Sequence, residues 1–265
     1  MLKAMGHHHG QRDVVVAAGT AVTAALGKVM GIALGVAGRL RRGKPLHPRG
    51  ELFRGRLTVA GTGRGWGVPL LDDPSESDVL VRVSRAMGLP GGLPDIHGVA
   101  VRLPQPDREP VDLLFATTGT GPLTRYVLRL RRSDRKSMTT LLPVHTSTGA
   151  LALRLTPVPQ DGGRAWALSA ARPGERLWQP VGTLVADAHP VAPDPDPPLR
   201  FDPVRNLPDG VEQYAWVRRL RDPAYVLARR WSPASTWTGR RSAAAVSRRD
   251  TRSSEWSGSH REPRP

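Results

Sequence analysis

The sequence predicts an α+β protein built on an antiparallel, barrel-like β-sheet, with helical segments towards the two ends of the chain. Three observations carry this expectation. About seven short segments between residues 51 and 187 place Val, Leu or Ala at every second position, the period of a half-buried strand. The connections between them are short and rich in Gly, Pro and Asp. One such turn, at Asp161, Gly162 and Gly163, follows an alternating run and signals a hairpin. The two longer helical patterns fall outside this block, at 14–40 and 211–230.

The chain has 265 residues, enough for one domain with tails or a domain and a half. The composition divides it into a tail and apolar helix at 1–42, a barrel domain at 43–230 and a basic tail at 231–265 that lacks periodicity and is expected to be disordered. Hydrophobic residues make up 39% and aromatics 5%, so the core must rest on Val, Leu and Ala. There is no cysteine, which excludes disulfides, thiolate zinc sites, iron–sulfur clusters and thiol catalysis. The formal charge of +16 favours attraction to polyanions. No recognition motif accompanies it, so nucleic acid is disfavoured as a partner. The cytoplasm is the expected compartment.

Taken in order, residues 1–13 are polar. His7, His8 and His9 read as part of a disordered terminus rather than a metal site, because no further ligand stands at tetrahedral spacing. Residues 14–40 are apolar and carry Gly27, Gly31 and Gly35 four apart, a close-packing pattern in membranes. Lys28 at the centre would cost about 3 kcal/mol in a bilayer. A helix packed on the domain is therefore expected first, with peripheral membrane contact through 14–42 as the alternative. A signal peptide fits poorly, since its basic region would be only Lys3 and Arg12.

Strands are expected at 51–60, 78–84, 97–103, 111–116, 151–158, 164–171 and 178–187, with a loop at 66–73 and a turn at 119–122. Gly91, Gly92 and two prolines lie in the linker 89–94, between the second and third strands. Arg82 and Arg102 lie inside these strands. A strand arginine usually faces solvent; the rarer arrangement aims it inward to hold an anion. Residues 124–136 read as a basic helix with Arg125, Arg129, Arg132 and Lys136 on one face, either solvated or in contact with a polyanion. Five prolines make 190–198 an extended linker. Residues 201–210 read as irregular, and 211–230 as a helix interrupted at Pro223.

Several fragments, in order, resemble haem catalases. Val81-Arg82-Val83-Ser84, then the glycine loop and the run from Pro94 to Leu103 (PDIHGVAVRL), are similar to that family's central signature. Pro45-Leu46-His47-Pro48-Arg49-Gly50 stands where the family has its distal histidine. Val111-Asp112-Leu113-Leu114 resembles a W-D-L-V segment, and Phe201-Asp202-Pro203 an F-x-P segment. Arg221 followed four residues later by Tyr225 matches the proximal R-x-x-x-Y.

The resemblance implies a catalase-type barrel with haem b as cofactor. His47 would be the distal base and Ser84 the hydroxyl that holds its ring. Arg82 would pair with a haem propionate. Tyr225 would ligate the haem iron, and Arg221 would favour the phenolate of a group whose ordinary pKa is about 10. The family's distal asparagine has no counterpart in Phe115-Ala116-Thr117-Thr118-Gly119; Thr117 is the residue that could donate there instead. A peroxidase-like oxidoreductase with weak catalase activity is therefore expected, acting on hydrogen peroxide in oxidative stress. Its expected partners are a small-molecule peroxide or organic substrate and a second copy of the chain. Two competing readings stand beside it: a non-enzymatic protein of the same fold that binds another apolar ligand, and a basic membrane-associated protein.

Overall fold

The computed structural model describes residues 49–89, 92–191 and 199–219. Ten strands appear among them. In chain order they are β1 (Arg49–Val59), β2 (Ser75–Arg85), β3 (His97–Leu103), β4 (Val111–Thr117), β5 (Met138–Thr139), β6 (Val144–Thr146), β7 (Gly149–Val158), β8 (Arg164–Ala171), β9 (Gln179–Ala186) and β10 (Val211–Glu212). All their pairings are antiparallel. The order β7-β5-β4-β3-β2-β1-β9-β8 closes on itself through β7 and β8, giving an eight-stranded barrel with β6 and β10 as a short flap beside β7. Closure pairs the edge strands that an open sheet would leave exposed.

The longer strands obey a period of two. Phe53, Val81, Val101 and Leu113 stand opposite one another across β1–β4, and with Leu153, Leu155, Trp166, Leu168 and Leu184 they fill the barrel interior. The intervening residues face outward. A second, smaller cluster lies outside the wall, where Leu199 and Phe201 cover Leu52 and Leu80. The β7–β8 turn uses Gly162 at φ 69°, a conformation that a side chain disfavours, which is why the Asp-Gly-Gly sequence marks it.

The seven expected strands are all present within a few residues of their expected ends. Three short ones, β5, β6 and β10, carry too few residues to show a period. Two expectations for the segments between the strands are overturned. The loop at 66–73 contains a short helix, α1 (Pro69–Asp72), closed by the Asp72 carboxylate, which accepts the Trp66 and Val68 N–H groups at 2.7 and 3.0 Å. The basic segment at 124–136 is not an α-helix. It begins as a single 3-10 turn (Thr124–Tyr126) and then runs extended, with backbone bridges from Leu128 to Thr118 and from Arg131 to Asp95. Pairing with the end of the barrel outweighs the charge periodicity: the backbone groups of Val127, Arg129 and Arg131 bond to Gly119, Thr117 and Asp95 instead of to one another.

The start of the expected helix at 211–230 is instead strand β10, and helix occupies 215–219. The rest of that helix, the apolar segment 14–40, most of the proline linker and the tail 231–265 lie outside the described residues. Among the described residues no helix is long and apolar enough to cross a membrane.

Candidate functional site

The register of β1–β4 puts three rows of outward-facing residues side by side. Gly50, Ser84, Gly98 and Ala116 form the first; Leu52, Arg82, Ala100 and Leu114 the second; Arg54, Leu80, Arg102 and Asp112 the third. The first row is made entirely of small side chains, so the wall is flat there. Arg82 and Ser84, two apart on β2, share this face and are 6% and 8% exposed. The guanidinium of Arg82 lies over Gly50: a Cβ on that glycine would stand 2.7 Å from Arg82 Cζ and 2.9 Å from Ser84 Cβ.

Of the two strand arginines, neither faces solvent; both are buried. Arg102 holds an anion, and the anion is the protein's own. Its Nε and Nη2 donate to the two oxygens of Asp112 at 2.7 and 2.6 Å, a bidentate pair. Asp112 also accepts the Asp202 N–H at 2.8 Å and the Asn206 Nδ2 at 2.7 Å. Arg102 in turn donates to the Arg200 carbonyl at 2.6 Å and lies 5.0 Å from the Phe201 ring centroid. This network straps the segment around Phe201, Asp202 and Pro203 across the outside of β3 and β4. The two fragments that resembled W-D-L-V and F-x-P are thus in contact. The strap ends the flat wall on one side.

Thr117 is placed differently. It closes β4 on the opposite face from Ala116, wholly buried, and its hydroxyl is already committed. It accepts the His97 N–H at 3.2 Å and donates to the Arg129 carbonyl at 2.8 Å. The structure therefore brings Arg82 and Ser84 together and sets Thr117 apart from them. His47, Arg221 and Tyr225 lie outside the described residues. Among the described residues no group of three His, Asp or Glu is placed to hold a metal ion.

Asp95, in the resembling run, is wholly buried and organises the loop between β2 and β3. Its carboxylate accepts N–H groups from Ile96, Met87 and Leu89 at 2.7, 3.0 and 3.3 Å. Burial alone would raise its pKa; these donors, with Arg85 beside it, outweigh burial and hold it below the usual carboxylate value. Sequence reading missed this role and that of Asp112 as an anchor. For Asp112 a signal existed, since Arg102 and Asp112 flank a short Pro-rich connection at positions that face each other in a hairpin.

No protein-family model and no curated protein matches the sequence. A bacterial catalase of known structure is similar in fold, with a TM-score of 0.54 and 12% identity over 76% of this chain and 61% of that one. The chain thus spans less than two thirds of that catalase's length. At this identity the likeness establishes a shared barrel architecture and leaves the chemistry to the residues.

Proposed function

We propose that this catalase-fold chain holds haem b against the outer wall of β1–β4 and acts on peroxide as a peroxidase-like oxidoreductase with weak catalase activity. The observation that carries the reading is the pairing of Arg82 and Ser84, buried on one face beside a row of glycine and alanine. Small side chains at 50, 98 and 116 fit a flat ligand, and a guanidinium at the edge of that bed fits its carboxylates. Haem, when bound, supplies the redox chemistry.

The chain's own residues supply the rest. His47 would serve as the base that accepts a peroxide proton and gives it back to the leaving oxygen, with haem, when bound, supplying the electrons. Ser84 accepts or donates at the histidine ring and so fixes its tautomer. Arg82 neutralises a propionate. Tyr225 would hold the haem iron through its phenolate oxygen, and Arg221, four residues earlier, would favour that anion. On this reading Thr117, whose hydroxyl is bonded to the His97 N–H and the Arg129 carbonyl, makes a poor substitute for the family's distal amide donor. Without such a donor the developing charge on peroxide is less stabilised, which favours slow turnover.

The purified full-length protein tests this directly. It should carry a Soret band when expressed with added haem precursor, and Tyr225→Phe should lose it. A variant that keeps full haem occupancy and an unchanged spectrum removes Tyr225 as the ligand. The commitment of Thr117 to the backbone favours a second reading, a non-enzymatic protein that uses the same wall for another apolar ligand. Colourless protein under those conditions would select it.

A further inference from the structure

In an eight-stranded barrel, the wall opposite β2 is β7, four strands away in either direction. There the outward-facing Arg154 carries a positive charge that the described residues do not balance. Its cross-strand neighbours are Thr139 and Ser169, both uncharged. Its Nε is buried without a hydrogen-bond partner, and no carboxylate among the described residues lies within ion-pair distance. The other charge nearby has the same sign. Arg125 is wholly buried, and its Cζ lies 4.3 Å from the Trp178 ring centroid, with Arg154 Cζ 4.7 Å from the same point. The two guanidinium carbons are therefore no more than 9 Å apart. Arg125 spends its N–H groups on the backbone carbonyls of Gly121, Arg172 and Glu175, while the Glu175 carboxylate pairs with Arg64.

Arg125 is buried and has the Glu175 carboxylate as its nearest acid; Arg154 is half-buried, its Nε enclosed, and no acid among the described residues offsets it, so an anion placed against Arg154 would relieve an uncompensated charge. We propose that Arg154, Arg125 and Trp178 form a binding site for a phosphate-bearing ligand, distinct from the Ser84 wall. Burial lowers the pKa of both arginines; Tyr126 and Glu175 oppose this at Arg125, whereas at Arg154 the charge of Arg125 adds to it, an imbalance at Arg154 that a bound anion reverses. Two sources of phosphate fit. One is a free phosphate group. The other is a lipid headgroup, because the loops that carry Arg125 and Trp178 also present Leu123 and Leu177 at 81% and 86% exposure. These loops are joined by the Trp178 Nε1–H bond to the Thr120 carbonyl at 3.2 Å.

The test uses the full chain with two probes: inorganic phosphate by calorimetry, and phosphatidylglycerol vesicles by sedimentation, with phosphatidylcholine vesicles as reference. Saturable binding of either probe, weakened at least tenfold by Arg154→Gln and unchanged by Arg135→Gln at the exposed surface, supports the site. Arg154→Lys keeps the charge without the planar fork and should fall between the two. Phosphate binding alone identifies a free anion as the ligand. Vesicle binding that inorganic phosphate competes away identifies a headgroup. Binding of neither probe, or equal binding by folded wild type and Arg154→Gln, overturns the proposal. Circular dichroism of each variant establishes that it is folded.

Discussion

Glycine at position 50 is dictated by its neighbours across the strand rather than by its own backbone. The space a Cβ would need is taken by the Arg82 guanidinium at 2.7 Å and by Ser84 Cβ at 2.9 Å. The guanidinium ends a flexible side chain and can swing away; the Ser84 Cβ is fixed to the strand. Gly50→Ala should therefore cost about 1–3 kcal/mol through overpacking and displace Arg82 from the small-residue bed. Urea unfolding measures the first effect; on the proposed haem reading, haem retained per protein after gel filtration measures the second. Gly63→Ala, where no atom lies within 4 Å, is the control and should change neither. If Gly50→Ala retains haem as well as the control does, Arg82 has no part in holding it.

At the scale of the element, the alternating strands were legible because each buries one face, and the barrel needs only that face to be apolar. The two-residue and three-residue strands were not legible, since a period of two needs more positions to appear. The segment at 124–136 was misread for a related reason: its arginines recur at helical spacing, yet one of them, Arg125, is drawn inward by three carbonyls and an indole. On the candidate wall, Arg82 and Ser84 were named together through the resemblance of Val81-Arg82-Val83-Ser84 to a family signature, whereas Gly50 owes its place to a register that only folding sets.

The loop between β2 and β3 shows how one buried acid can hold an element, and it gives a pH dependence with a definite sign. The Asp95 pKa is lower in the folded chain than in the unfolded one, where it is about 3.9. Its contribution to stability is therefore fully present at neutral pH and is lost as pH falls through the folded value. Asp95→Asn should lower the urea midpoint at pH 7, and the gap to wild type should narrow below about pH 4. A gap that stays constant from pH 7 to pH 3 would show that ionisation of Asp95 is not what holds the loop.

For the molecule as a whole, the closed barrel has two differently dressed walls, and the strap across β3 and β4 is fixed by one ion pair. Arg102 and Asp112 have side chains 9% and 0% exposed, so neither can fall back on water if its partner is removed. Asp112 also takes two donors from the strap, so its loss orphans groups on both elements. Asp112→Ala should then cost about 3–5 kcal/mol, the usual consequence of leaving one buried charge unpaired. In urea this should appear as a lower midpoint with an unchanged slope if strap and barrel unfold together. A shallower or two-step transition would mean that the strap detaches first. The double variant Arg102→Met with Asp112→Leu distinguishes pairing from packing. It removes both charges and should recover much of the loss, because an apolar pair of similar volume can replace a buried ion pair at little cost. If the double variant is as unstable as Asp112→Ala, the hydrogen bonds to Asp202 and Asn206, rather than the charge on Arg102, anchor the strap to the wall.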